Sequence, residues 1–213
     1  MKASKMVAVA LLWAARAAMA TEQDLLSLVD LQNARGLWSM IGGELWTGGR
    51  GLGADPAKLE IGYHPPAEYD LNMDMTIDRA DNISFAIPYQ GLPVCVIFAS
   101  YQRWSGFSSL DETGPIYRMV DQPLSPGDYR VQIKVRAERI DVFMDNSFFM
   151  GYGGSANDIL HTGWEAANED PLNVGIISYG SIVTFHEMTV VPEPATLSLL
   201  ALGGLALIRR RKA

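Results

Sequence analysis

Residues 69–78 carry the cleanest alternation in the chain. Leu71, Met73, Met75 and Ile77 fall on one face, and Asp70, Asn72, Asp74, Thr76 and Asp78 on the other. Side chains of extended backbone point alternately to opposite faces, so this period of two predicts a half-buried strand. The same period recurs where Val131, Ile133 and Val135 alternate with Arg130, Gln132, Lys134 and Arg136, and again at Ile140, Val142 and Met144. Asp145-Asn146 predicts a tight turn into a strand at 148–150, because Asp and Asn tolerate left-handed backbone. Residues 37–41 and 44–47 predict a hairpin around Gly42-Gly43. Residues 58–63, 83–87, 94–98, 116–120, 174–179 and 182–191 add short strands, while 24–29 reads as a short helix or an edge strand. About a dozen short strands and no sustained helical period predict an all-β domain, a β-sandwich. Gly48 to Gly53 has a glycine-rich composition but leads into a predicted strand instead of a helix, so it reads as a plain loop and not as a phosphate cradle.

The two chain ends break this pattern with unbroken apolar runs. Lys2 and Lys5, an apolar stretch at 6–15 and Ala18-Met19-Ala20 have the order of a secretory signal peptide over residues 1–20, its apolar part a helix, with the mature chain starting at Thr21. At the other end stand Val191-Pro192-Glu193-Pro194-Ala195-Thr196, an apolar segment at 197–208 and a basic stop, Arg209-Arg210-Arg211-Lys212. Residues 195–208 are uncharged, and as a helix these 14 residues reach only about 21 Å against a hydrocarbon core of about 30 Å. Gly203-Gly204 weaken that short helix further. The basic stop keeps to the cytoplasmic side and leaves the body of the protein outside.

Motif, apolar segment and arginine cluster together resemble the PEP-CTERM sorting signal of Gram-negative bacteria. That resemblance implies export through the inner membrane, transient membrane contact through residues 195–208, and processing at Val191, Pro192, Glu193 and Pro194 by an exosortase-type membrane enzyme. The destination it implies is the cell surface or the extracellular matrix. A single-span anchor that is never cut is the other reading of the same segment.

Removing both ends changes the charge. The whole chain has 17 basic and 24 acidic residues; seven of the basic and one of the acidic residues lie in the processed ends, leaving 10 against 23 and a net of −13. So acidic a body argues against nucleic acid and anionic lipid surfaces as partners and is compatible with neutral glycans or a divalent cation. Cys95 is the only cysteine, so no disulfide framework exists within the chain. It stands in an apolar run and reads as a buried thiol.

A second resemblance covers most of residues 24–190. The segment 24–30, Gly36-Leu37-Trp38, Gly43-Glu44-Leu45 and the Pro65-Pro66-Ala67-Glu68-Tyr69-Asp70 entry into the alternating strand look like domains related to the 3-keto-disaccharide hydrolase family. The hairpin at 129–145 resembles that of laminin-G-like and concanavalin-like jelly rolls, and 174–177 and 183–188 resemble the closing strands. The fold this implies for 21–190 is a concanavalin/laminin-G-like jelly roll, with residues 191–213 as the sorting signal.

Candidate chemistry is sparse. Asp70 and Asp74 share a strand face and are the nearest approach to a carboxylate pair of the kind retaining glycosidases use. Asn72 stands between them, and a solvated strand face explains the same pattern. No Gly-x-Ser-x-Gly elbow occurs. His64, His161 and His186 lack metal-ligand spacing, so no cofactor or metal is expected. Tyr101, Arg103 and Trp104 lie in a stretch read as a loop rich in aromatic and hydrogen-bonding groups, and Trp164 with Glu165 lies in another. Such residues suit sugar rings, which present apolar patches and polar rims; lids over the ends of the sandwich are the plainer reading. Three functions follow: a non-catalytic module binding an exopolysaccharide or other glycan, a structural matrix protein without a small ligand, and a hydrolase acting on a 3-keto-disaccharide.

Overall fold

The computed structural model describes residues 21–48, 56–100, 104–107, 117–120, 124–159 and 169–193. The predicted signal helix and the C-terminal apolar helix lie outside them. Among the described residues fourteen strands follow in order: β1 (Gln23–Asp24), β2 (Trp38–Ile41), β3 (Glu44–Thr47), β4 (Ala57–Ile61), β5 (Tyr69–Arg79), β6 (Ile83–Tyr89), β7 (Leu92–Ser100), β8 (Trp104–Phe107), β9 (Tyr117–Val120), β10 (Gly127–Arg136), β11 (Arg139–Met144), β12 (Ser147–Tyr152), β13 (Val174–Ser178) and β14 (Ile182–Pro192). Every pairing between them is antiparallel. One sheet has eight strands in the order β12-β11-β10-β5-β14-β3-β2, with β1 also paired to β14; the other has six, β4-β13-β6-β7-β8-β9. The fold is an all-β sandwich, as the period of two predicts, and of the jelly-roll type that the family resemblance implies.

The alternation of β5 is realised residue by residue. Tyr69, Leu71, Met73, Met75 and Ile77 are buried, while Asp70, Asn72, Asp74 and Thr76 are half-buried on the outer face. Opposite them, Ile83, Phe85, Ile87, Val94, Val96 and Phe98 of the six-stranded sheet complete one core between the sheets. Phe85 lies at its centre, edge-on to Phe98 at 5.8 Å and to Phe185 at 6.0 Å, the geometry that aromatic quadrupoles favour.

Two turns follow directly from residue type. Gly42 and Gly43 take φ of 64° and 93°, and Asp145 and Asn146 take 50° and 63°. Both pairs thus have the positive φ at two successive positions that two-residue hairpins need to match strand twist. The segment read as helix or edge strand is both in turn: β1, then a single 3-10 turn at Leu26–Leu28. The segment read as a loop through Trp104 is strand β8 from Trp104 onward, paired with β7 and β9. β14 continues past residue 190 into the sorting motif.

Candidate functional site

The outer face of the eight-stranded sheet is polar and is built from cross-strand rows. Register places Gln132 of β10 and Thr189 of β14 on either side of Asn72, and Arg130 and Glu187 on either side of Asp74. In the first row the Gln132 amide donates to the Asn72 amide oxygen at 3.0 Å and to Asp70 at 3.2 Å. The row continues outward through Phe143 of β11, the register partner of Gln132, to Phe148 of β12. The two rings meet edge-to-face at 5.9 Å, and the Lys134 ammonium lies 5.0 Å from the Phe143 centroid. Phe148 is 61% exposed, an aromatic ring left in water at the outer end of the row.

In the second row Arg130 grips Asp74 with two hydrogen bonds of 2.9 and 3.1 Å. That hydrogen bonding, with the charges of Arg130 and His186 and against a smaller effect of burial, holds the Asp74 carboxyl below the usual carboxylate range. β14 bulges between Phe185 and Glu187, so that His186 and Glu187 both face outward. An extra residue in one strand of a pair is the ordinary way a sheet re-aims a side chain. His186 is held on both ring nitrogens, 2.7 Å from Glu44 through Nδ1 and 2.7 Å from the Thr76 hydroxyl through Nε2. Thr76 in turn donates to Asp128 at 2.6 Å.

Between the rows lies a cavity of about 270 Å³ lined by Glu22, Asn72, Asp74, Arg130, Gln132, Phe143, Glu187 and Thr189. A second hollow of about 530 Å³ shares Asp74 and Arg130 with it and extends to Asp128, Tyr129 and His186. One atom stands out. Thr189 is 6% exposed, and its hydroxyl oxygen is buried without a hydrogen-bond partner among the described residues. A buried hydroxyl left unpaired costs on the order of 1–3 kcal/mol, so such groups need a reason.

The structure places the residues singled out from sequence as follows. Asp70 and Asp74 do share the outer face of β5. Asp70 is committed to Arg136 at 2.7 Å, and Asp74 is a carboxylate held ionised by Arg130, the wrong state for a proton donor. Trp104 is 3% exposed and packs with Ala86, Cys95, Ile97 and Ile177 on the other face of the six-stranded sheet. Tyr101, Arg103, Trp164 and Glu165 lie outside the described residues, as do Ala18, Ala20 and Pro194. Among the described residues no group of three or more His, Cys, Asp or Glu side chains converges as a metal site. Nor is any helix among them long and apolar enough to cross a membrane. Phe143, Phe148, Gln132 and Thr189 were not singled out from sequence. Phe143 had a signal, since it occupies the polar parity of a strand whose inward residues are Ile140, Val142 and Met144.

Comparison with known proteins adds two findings. Residues 190–212 match the PEP-CTERM protein-sorting motif, a signal of exported proteins. The fold is similar to that of the carbohydrate binding module CBM66 from Bacillus subtilis, with a TM-score of 0.51 at 10% identity over 81% of this chain and 96% of that one. It is equally similar to a proposed glycosyl hydrolase from Parabacteroides distasonis, with a TM-score of 0.52 at 12% identity over 81% and 100% of the two chains. A Bacillus subtilis protein with a galectin-like fold gives 0.51 at 8% identity over 75% and 89%. No curated protein matches the sequence.

Proposed function

We propose that this is an exported, non-catalytic carbohydrate-binding domain, handed by its sorting motif to an exosortase-type enzyme and retained at the cell surface or in the extracellular matrix. Its ligand is a neutral polysaccharide, and its binding surface is the outer face of the eight-stranded sheet. The observation that carries this reading is the cavity on that face, where the Asn72–Gln132 amide pair, the Phe143 ring and Thr189 stand beside the charged side chains of Glu22, Asp74, Arg130 and Glu187. Amides and hydroxyls in fixed positions match sugar hydroxyls, and an aromatic ring beside them matches the apolar face of a pyranose. The surplus of carboxylates in the body favours an uncharged ligand over an anionic one.

The fold of known carbohydrate-binding and galectin-like domains supports the reading, without assigning a sugar. The wild-type domain is expected to bind a subset of neutral glycans on an array. Phe148→Ala and Asn72→Ala each lower affinity roughly tenfold, the loss of one stacking or hydrogen-bonding contact of about 1.4 kcal/mol. Unchanged binding by both variants together with loss in Trp164→Ala moves the site to the aromatic segments at 101–103 and 164–165. Release of a sugar product from a bound ligand, abolished in Asp74→Asn, replaces the binding reading with the hydrolytic one.

A further inference from the structure

The sorting motif and the folded domain overlap. Val191 and Pro192 belong to β14 and pair with Asp70 and Tyr69 of β5. The Glu193 amide then donates to the Glu68 carbonyl at 3.1 Å, and its carboxylate lies 3.0 Å from Nη2 of Arg136. The same Nη2 donates to Asp70 at 2.7 Å, while Nη1 donates to the carbonyls of Tyr69 and Val135 at 3.0 and 2.9 Å. Arg136 is therefore oriented by three groups inside the domain before it meets Glu193. Its side chain is only 25% exposed, so its charge is screened less than that of a surface arginine.

Reach makes the contact consequential. Only Pro194, Ala195 and Thr196 separate Glu193 from Leu197, where the apolar segment begins. Three residues span at most about 10 Å. With Glu193 held and the apolar segment in the bilayer, the sandwich is tethered against the membrane and half of the motif is still part of a sheet. Releasing residues 191–193 doubles the free chain to about 20 Å and turns Val-Pro-Glu into accessible extended backbone. A processing enzyme has to close on extended peptide, and peptide that is hydrogen-bonded to β5 is not available to it.

We propose that Arg136 acts as a clip that withholds the sorting motif, and that the processing enzyme acts on the state in which residues 191–193 have left β5 and Glu193 has left Arg136. Opening is local. It breaks the last register pairs of one strand and two contacts of Glu193, and it leaves the core between the sheets intact. The inference rests on the matched motif and is independent of what the domain binds.

Pulse-chase of the full chain in a Gram-negative host with an active exosortase-type enzyme tests it, comparing precursor conversion in four forms. These are wild type, Arg136→Gln, Asp70→Asn, and a form with a Gly/Ser linker and a second copy of residues 191–213 placed after Glu193. Arg136→Gln is expected to convert several-fold faster than wild type. Asp70→Asn keeps an amide oxygen to accept from Arg136 and leaves the Glu193 contact in place, so it converts no faster than wild type. The linker form converts at the fast rate whatever stands at position 136, which keeps the test open should Arg136→Gln fold poorly. Wild-type rates in both Arg136→Gln and the linker form overturn the clip. Equal acceleration by Asp70→Asn and Arg136→Gln also overturns it, because general loosening of the sheet then explains the effect.

Discussion

The two sheets share one core but turn opposite characters outward. β5 alternates strictly, so the outer face of the eight-stranded sheet carries Asp70, Asn72, Asp74 and Thr76 in partial contact with water. In the six-stranded sheet Ile83 to Ile87 and Val94 to Ala99 are buried on both faces, and Ala86, Cys95, Ile97, Trp104 and Ile177 form a second apolar cluster on the outer side. A strand buried on both faces reads as a continuous apolar run, and one with a wet face reads as an alternation. The lesson concerns function as much as fold. Among the described residues, the outer face of β5 and its neighbours offers a polar ligand a row of half-exposed side chains that β6 and β7 do not.

The strongest way to break this comparison is truncation of one side chain on each outer face. Ile97→Ala, on the six-stranded sheet, is expected to cost about 2–5 kcal/mol, the range for a buried isoleucine that leaves a cavity. Asn72→Ala, on β5, is expected to cost less than about 1 kcal/mol, since its side chain is half-buried and makes one amide contact. Denaturant melts of the two variants measure the difference, and equal losses would show that the outer faces are not distinct in kind.

A smaller effect sharpens the aromatic end of the polar face. Phe143→Ala loses the edge-to-face contact with Phe148 and the Lys134 ammonium above its ring, together worth about 1–2 kcal/mol. Thr189→Val is expected to run the other way. Replacing a buried, unpartnered hydroxyl with a methyl of the same shape raises stability by up to about 1 kcal/mol while weakening glycan binding. A gain in the unfolding midpoint with a loss of affinity is the signature of a group kept for a ligand. A loss of stability in Thr189→Val removes that argument.

How much of this was legible in the sequence depends on whether the signal was local. The inward set of β5 and the Asp145-Asn146 turn are local, since period and backbone tolerance are properties of neighbouring residues. The sorting motif is local too. Trp104 misled because its neighbours Tyr101, Gln102 and Arg103 are polar or amphipathic, whereas its own side chain faces Cys95 and Ile97, which lie on a different strand. Thr189 and Glu187 were invisible for another reason. The bulge after Phe185 resets the parity of β14, so that Val183 and Phe185, then Met188 and Val190, all point inward. No pattern of apolar residues announces which residue a bulge will absorb. The row from Phe148 through Phe143, Gln132 and Asn72 to Thr189 crosses five strands and exists only once register is set.

The smallest expected effect separates the faces by pH. Asp74 is held below the usual carboxylate range by Arg130, so its folded value lies below its unfolded one. The sign follows: its contribution is complete above the unfolded value near about 4 and is lost as pH falls through the folded one. Asp170, held down first by the Leu172 amide and then by His64, adds a part of the same acid limb that does not involve Arg130. Arg130→Met is therefore expected to flatten this limb in part, leaving the Asp170 share in place. Because the pair is half in water, the change is small and shrinks further with added salt. Ile97→Ala, on the face where Ala86, Ile177 and Trp104 surround it, should instead displace the whole curve of urea midpoint against pH without altering its slope. An acid limb of unchanged slope in Arg130→Met would mean that the Asp74–Arg130 pair does not shape the pH response of the polar face.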